Sequence, residues 1–237
     1  MSAHREWSRW SVVVVFAVAM AWVEAAVVLY LRTLVNRLDP YQPNPLPLAT
    51  GLGQAELVRE AATLVMLAAV GWLAGRTWRS RVGYACVAFG VWDIFYYVFL
   101  VPLTGWPHSL LDWDILFLIP LPWWGPVLAP VMIAGLMVFG GSLVALGDTP
   151  DRPLWPGNVS VALNFLGGLL ALYVFMADAL RVAGQGEETL RHLLPTQFHW
   201  GLFGIAWLLM SAVGLDLARQ VWMSRNKRLV MVSQSTT

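Results

Sequence analysis

The sequence predicts an all-α, polytopic membrane bundle of six transmembrane helices, with a short re-entrant or interfacial half-helix before the fourth. Three observations predict it. Hydrophobic residues make up 58% of the 237-residue chain and charged residues only 12%, whereas water-soluble domains carry roughly 25% charged residues. Six apolar segments approach or exceed the ~20 residues a helix needs to cross a bilayer. Isolated acidic side chains sit within or at the edges of those segments, where lipid-facing sequence carries none. Six spans and short connections use up the chain, so it is read as a single integral membrane domain, residues 1–237.

A cytoplasmic N-terminus, residues 1–9, precedes the first span, Trp10–Leu31. That apolar run is longer than a signal-peptide core and lacks a small-residue cleavage site, so it is expected to stay as a permanent helix. Residues 32–56 follow as a Pro-rich outer loop, in which Pro40, Pro43, Pro45 and Pro47 favour an extended, semi-rigid cover. The second and third spans are placed at Leu57–Ala74 and Val82–Pro102. Apolar sequence then runs from Ile115 to Gly147 but is broken by Pro120, Pro122, Gly125, Pro126 and Pro130. This pattern predicts the half-helix, a break and a fourth span at Val127–Gly147. Non-helical backbone at membrane depth needs protein or a wet cavity to satisfy it, so the break is expected to line a site. The fifth and sixth spans are placed at Val159–Ala183 and Phe198–Met223, separated by a short surface helix within residues 184–197. Residues 224–237 are expected to form a fraying cytoplasmic tail.

Orientation follows from Lys and Arg counted loop by loop. With the N-terminus cytoplasmic, ten of the 15 basic residues lie inside, three of them in the turn Arg76, Arg79, Arg81, and five lie outside: Arg32, Arg37, Arg59, Arg181 and Arg191. Both termini are therefore expected in the cytoplasm, in a plasma or inner membrane. Basic residues scattered singly over a net charge of +1 exclude nucleic acid as a partner. A lone Cys86 inside the third span excludes an internal disulfide.

The charged positions carry the functional reading. At 1.5 Å of rise per residue, Glu24, Glu60, Asp93 and Asp114, together with His199 at the mouth of the last span, are expected to converge in a carboxylate-rich pocket in the outer half of the bundle. Four carboxylates and an imidazole suit Fe, Mn or Zn. The absence of a second intramembrane His and of clustered thiolates excludes a b-type haem and an iron–sulfur cluster. No Glu-x-x-His or His-Glu-x-x-His signature supports the metal, which rests on inferred depth alone. Trp113, Trp123 and Trp124 are denser than interfacial anchoring requires and are expected to form a rim for a hydrophobic small molecule or a partner membrane subunit. The leading expectation is a metal-binding membrane enzyme or redox subunit acting on a lipid-soluble substrate. The alternatives are a proton- or cation-coupled transporter, in which the acids with Tyr96 and Tyr97 form a relay, and a non-catalytic accessory subunit of a larger complex.

Purely structural readings stand beside these. Asp178 and Arg181 are three apart and predict an intrahelical pair. Glu60 lies within a turn of its helix start, where the macrodipole tolerates an acid. Glu24 and Asp93 have no such local explanation: they pair with Arg32, Arg59 or a Tyr or Trp donor from another helix, or they hold a ligand.

Overall fold

The computed structural model of the protein describes residues 3–43, 51–118 and 121–235. In chain order the elements are α1 (Ala3–Leu34), α2 (Gly51–Ala74), α3 (Trp78–Thr104), β1 (Trp113–Phe117), β2 (Trp123–Pro126), α4 (Leu128–Gly147), α5 (Asn158–Val182), a 3-10 turn (Ala183–Gln185), α6 (Glu187–Arg191) and α7 (Trp200–Ser235). Six of these, α1 to α5 and α7, are long and apolar enough to cross a membrane. The protein is a multi-pass membrane bundle. Large apolar side chains such as Val15, Val65, Leu73, Phe165 and Leu208 face outward along the helices, a surface that lipid covers and water does not tolerate in bulk.

Apolar burial does not drive helix association in lipid, where the tails are as apolar as leucine, so close backbone approach takes its place. The seam between α3 and α4 shows how. A Cβ added to Gly83 would lie 2.9 Å from the Gly141 carbonyl oxygen, and one added to Gly141 would lie 2.7 Å from the Gly83 carbonyl oxygen. The two helices therefore meet backbone to backbone. Around this seam Val13, Ala17 and Ala21 of α1 pack on Tyr84, Val87, Ala88 and Val91 of α3. A second core joins Ala129 of α4, Ala171, Val174 and Phe175 of α5, and Phe203 and Ala206 of α7.

Polar locks close one end of the bundle. Asp148, at the end of α4, accepts from the Arg79 guanidinium at 2.8 Å, from the Leu154 N–H at 2.9 Å and from the Thr77 hydroxyl. Thr77 in turn caps α3 in a reciprocal capping box with Ser80. Asp216 of α7 accepts the Gly157 N–H at 2.7 Å and the Ser160 hydroxyl at 3.2 Å, placing a carboxylate at the positive start of α5. Tyr84 reaches the Glu6 carbonyl at 3.4 Å, so the start of α1 lies at this same end. We call it the terminal end.

The opposite end departs from the sequence prediction. Where the half-helix was expected, β1 and β2 form an antiparallel hairpin with Trp113 opposite Pro126, Asp114 opposite Gly125 and Ile115 opposite Trp124, and an irregularity between Ile115 and Phe117. The reason is local. Aromatic and β-branched residues favour extended backbone, and Pro122 and Pro126 cannot supply helical N–H donors. Pro126 sits at the last pair of the ladder, where its missing donor does least harm. The Val127 N–H closes the connection onto the Asp112 carbonyl at 3.0 Å, and the Leu128 N–H onto Leu110 at 2.8 Å. Pro120 lies outside the described residues. The Pro-rich loop falls partly outside them too, at residues 44–50.

Helix ends also overrun the predicted spans. The first helix begins at Ala3 and the last runs to Ser235, through the segment expected to fray. Hydropathy marks where a bilayer ends. Helix propensity, which Arg, Lys, Leu and Met satisfy as well as apolar residues do, marks where the helix ends.

Candidate functional site

At the hairpin end, α1 and α2 diverge and leave a cavity of about 390 Å³ between them, α3, α4 and the hairpin. Its walls follow helical spacing. Glu24, Val28, Leu31 and Arg32 line it from α1, Val35 from the turn just after it, and Glu56, Arg59, Glu60 and Thr63 from α2. Positions at i, i+3, i+4 and i+7 share one helix face, so each stripe turns one side of its helix into the cavity. Phe89, Trp92, Asp93, Tyr96 and Tyr97 do the same from α3. Pro130, Ile133, Ala134 and Met137 of α4 supply an apolar floor, and Asp114 to Leu118 with Trp123 enter from the hairpin.

Four of the five residues nominated from sequence, Glu24, Glu60, Asp93 and Asp114, line this cavity. His199 does not. It is exposed just before α7 and is not among the lining residues. The four carboxylates have different partners. Glu24 is ion-paired to Arg59 and accepts the Thr63 hydroxyl at 3.4 Å. Arg59 also holds Glu56, its Nε lying 2.8 Å from the carboxylate, so one guanidinium bridges α1 to the first turns of α2. Asp114, 2% exposed, accepts from the Arg32 guanidinium at 3.1 Å. Burial pushes the Asp114 carboxyl above its usual range, against the pull of Arg32. Glu60 accepts the Leu118 N–H at 3.4 Å, which ties the hairpin to α2. Asp93 lies at the centre of the α3 stripe, and among the described residues it forms no ion pair and no hydrogen bond.

Two arginines build the rim. Arg32 lies 4.4 Å from the Trp106 ring centroid, a cation–π contact that adds to its hold on Asp114. Arg37, 5% exposed, donates to the Pro40 carbonyl at 2.7 Å and the Gln42 carbonyl at 3.1 Å. Burial first, then the like charge of Arg32, holds the Arg37 guanidinium below its usual pKa.

The tryptophan rim divides. Trp123 lines the cavity and lies parallel to Phe175 with ring centroids 6.5 Å apart. Trp113 instead stacks on Tyr41, and Trp124 is 2% exposed within the packed core. Asp178 and Arg181 form the intrahelical pair that their spacing predicts. Asp178 also accepts the Thr196 N–H at 3.3 Å, fastening α5 to the connection before α7.

Among the described residues no group of three or more His, Cys, Asp and Glu is arranged to hold a metal ion. The residues that sequence reasoning passed over are Glu56 and Thr63, the bridging role of Arg59, and Arg37. The spacing Glu56, Arg59, Glu60, Thr63 was the available signal: a polar stripe one helix face wide, sustained over two turns of a membrane span. The arrangement can neutralise charge in pairs at the mouth and, among the described residues, presents Asp93 without a polar partner beside aromatic rings. No family model, curated protein or solved structure matches this chain; its reading rests on a multi-pass membrane bundle with a charged, aromatic-walled cavity at the hairpin end.

Proposed function

We propose that the protein is a plasma- or inner-membrane receptor or carrier, both termini cytoplasmic, whose cavity binds a small amphipathic molecule from the non-cytoplasmic half of the bilayer. One observation carries this reading: a single cavity joins a charged mouth to an apolar and aromatic floor. Ligand sites are concave and mostly apolar, with a few convergent polar groups that fix orientation. Water alone does not explain Phe89, Trp92, Trp123, Ile133 and Met137 on the same walls as five carboxylates and three arginines. A molecule with a polar head and an apolar body matches both regions.

The metal centre expected from sequence finds less support. Glu24 and Asp114 already have arginine partners, and an ion would have to displace them. Glu60 and Asp93 alone make too few ligands for the Fe, Mn or Zn coordination considered above.

The test is native mass spectrometry of the detergent-purified chain, with organic extraction and metal analysis of the same sample. An organic molecule retained at one per chain, and lost when Ile133→Trp fills the floor, supports the reading. A chain that retains no organic molecule but holds stoichiometric Fe, Mn or Zn contradicts it.

A further inference from the structure

We propose that the molecule taken by this cavity is an organic cation, an ammonium group on an apolar body, with Asp93 as its counter-ion. This rests on the cavity being a ligand site and adds the charge of the ligand. The argument starts from the charge of the walls. Five carboxylates line the cavity, Glu24, Glu56, Glu60, Asp93 and Asp114, against three guanidinium groups, Arg32, Arg37 and Arg59. With all ionised the balance is 3 − 5, or −2. Arg59 is shared by Glu24 and Glu56, and Arg32 is committed to Asp114. One negative charge therefore remains on the Glu24–Arg59–Glu56 cluster, one on Glu60, which has a backbone N–H, and one on Asp93, which among the described residues has neither an ion pair nor a hydrogen bond, against the positive charge of Arg37 at the rim.

An intramembrane acid is expensive and faces a partner or a cavity. Asp93 faces the cavity. A cation compensates an ionised Asp93 directly, whereas an anion would be repelled by the surplus of carboxylates. The rings beside Asp93 select further. Phe89, Trp92 and Tyr96 stand four residues before, one before and three after it on α3, and Trp123 lines the cavity from the hairpin. Aromatic faces attract a desolvated cation and hold quaternary ammonium groups in this way. Acid and rings together describe an ammonium site, and the apolar floor of α4 receives the body of the ligand.

The test uses the full chain in the nonionic detergent dodecylmaltoside and three probes of matched chain length: decyltrimethylammonium, decanol and decanoate. Binding is read by tryptophan fluorescence and calorimetry. The cation is expected to bind one per chain, at least tenfold tighter than decanol, with decanoate weaker still. Asp93→Asn should weaken the cation at least tenfold and leave decanol unchanged, while Asp151→Asn, at an exposed carboxylate of the terminal end, alters neither. Tyr96→Leu, which keeps the carboxylate, should weaken the cation severalfold but not decanol, so the assignment stays testable if Asp93→Asn fails to fold. Decanol or decanoate binding as tightly as the cation, or a cation affinity indifferent to both variants, overturns the charge assignment while leaving the cavity a ligand site. Mn²⁺ or Zn²⁺ alone binding one per chain through Asp93 overturns it in favour of a metal. No saturable binding of any probe, together with no retained molecule in the native protein, removes the ligand site itself.

Discussion

Replacing Arg59 with glutamine leaves Glu24 of α1 and Glu56 of α2 on either side of a neutral side chain at the seam where those helices diverge. The size of the effect follows from burial. Removing one member of a fully buried ion pair costs about 3–5 kcal/mol, because the remaining charge is stranded. Here the Arg59 side chain is 23% exposed and Glu24 11% exposed, and both line the cavity. Surface pairs are worth about 0–1 kcal/mol, so a value between the limits, about 2–3 kcal/mol, is expected for Arg59→Gln. Glu24→Gln should cost less, about 1 kcal/mol, since Arg59 keeps Glu56. The double variant should cost about 1–2 kcal/mol less than the sum of the singles, which is the signature of direct coupling. Unfolding by sodium dodecyl sulfate in mixed micelles, followed by circular dichroism, measures all three. Strictly additive costs would refute the α1–α2 bridge.

Three further outcomes follow. Gly141→Val places a Cβ 2.7 Å from the Gly83 carbonyl oxygen, which cannot yield; a loss of about 1–3 kcal/mol is expected, against no change in the open-space control Gly135→Ala, and equal behaviour of the two would refute the backbone seam. Asp112 accepts the His108 N–H at 2.7 Å and the Ser109 hydroxyl at 3.0 Å. Partial burial opposes the ionised form, but these bonds together hold its carboxyl below the usual range. Its contribution is therefore present above the unfolded value of about 3.9 and is lost as pH falls through the lower folded value. Fluorescence of neighbouring Trp106 and Trp113 should change on acidification in the wild type and less in Asp112→Asn, and superimposable profiles would refute the turn's dependence on that carboxylate. Finally, with Cys86→Ser as background, Ser109→Cys at the hairpin end should react with an impermeant thiol reagent added to intact cells, whereas Ser8→Cys at the terminal end should not; the reverse pattern would invert the orientation.

The fold was legible where one signal decides it. Six apolar runs gave six helices because in lipid only a helix or a closed barrel satisfies its own backbone. The segment around Ile115 misled for the opposite reason. Length and apolarity suit either a half-helix or a buried hairpin, and the proline positions that decide between them, Pro122 and Pro126, were counted as a break in a helix and not as the ends of a ladder. The candidate site was half legible. Depth along a span follows from counting residues, and it placed Glu24, Glu60, Asp93 and Asp114 at one level. Direction around a helix needs the partner stripe: Arg59 is legible as a possible partner for Glu24, and the structure pairs them, but Glu56 and Thr63 go unused although their spacing shows the stripe. His199 was chosen by depth alone and lies elsewhere. Which acid pairs with which arginine depends on helix packing across α1, α2 and the hairpin, and no local pattern encodes that.

The hairpin, packed on α4 and α5, carries Asp114 to Arg32 of α1, and this contact fixes the hairpin over the cavity. With Cys86→Ser as background, Arg32→Cys and Asp114→Cys together, treated with a short bifunctional thiol cross-linker in the membrane, test it directly. One intramolecular bridge per chain is expected, seen as a single mass increment on the intact protein; two independently capped thiols and no bridge would refute the Arg32–Asp114 contact.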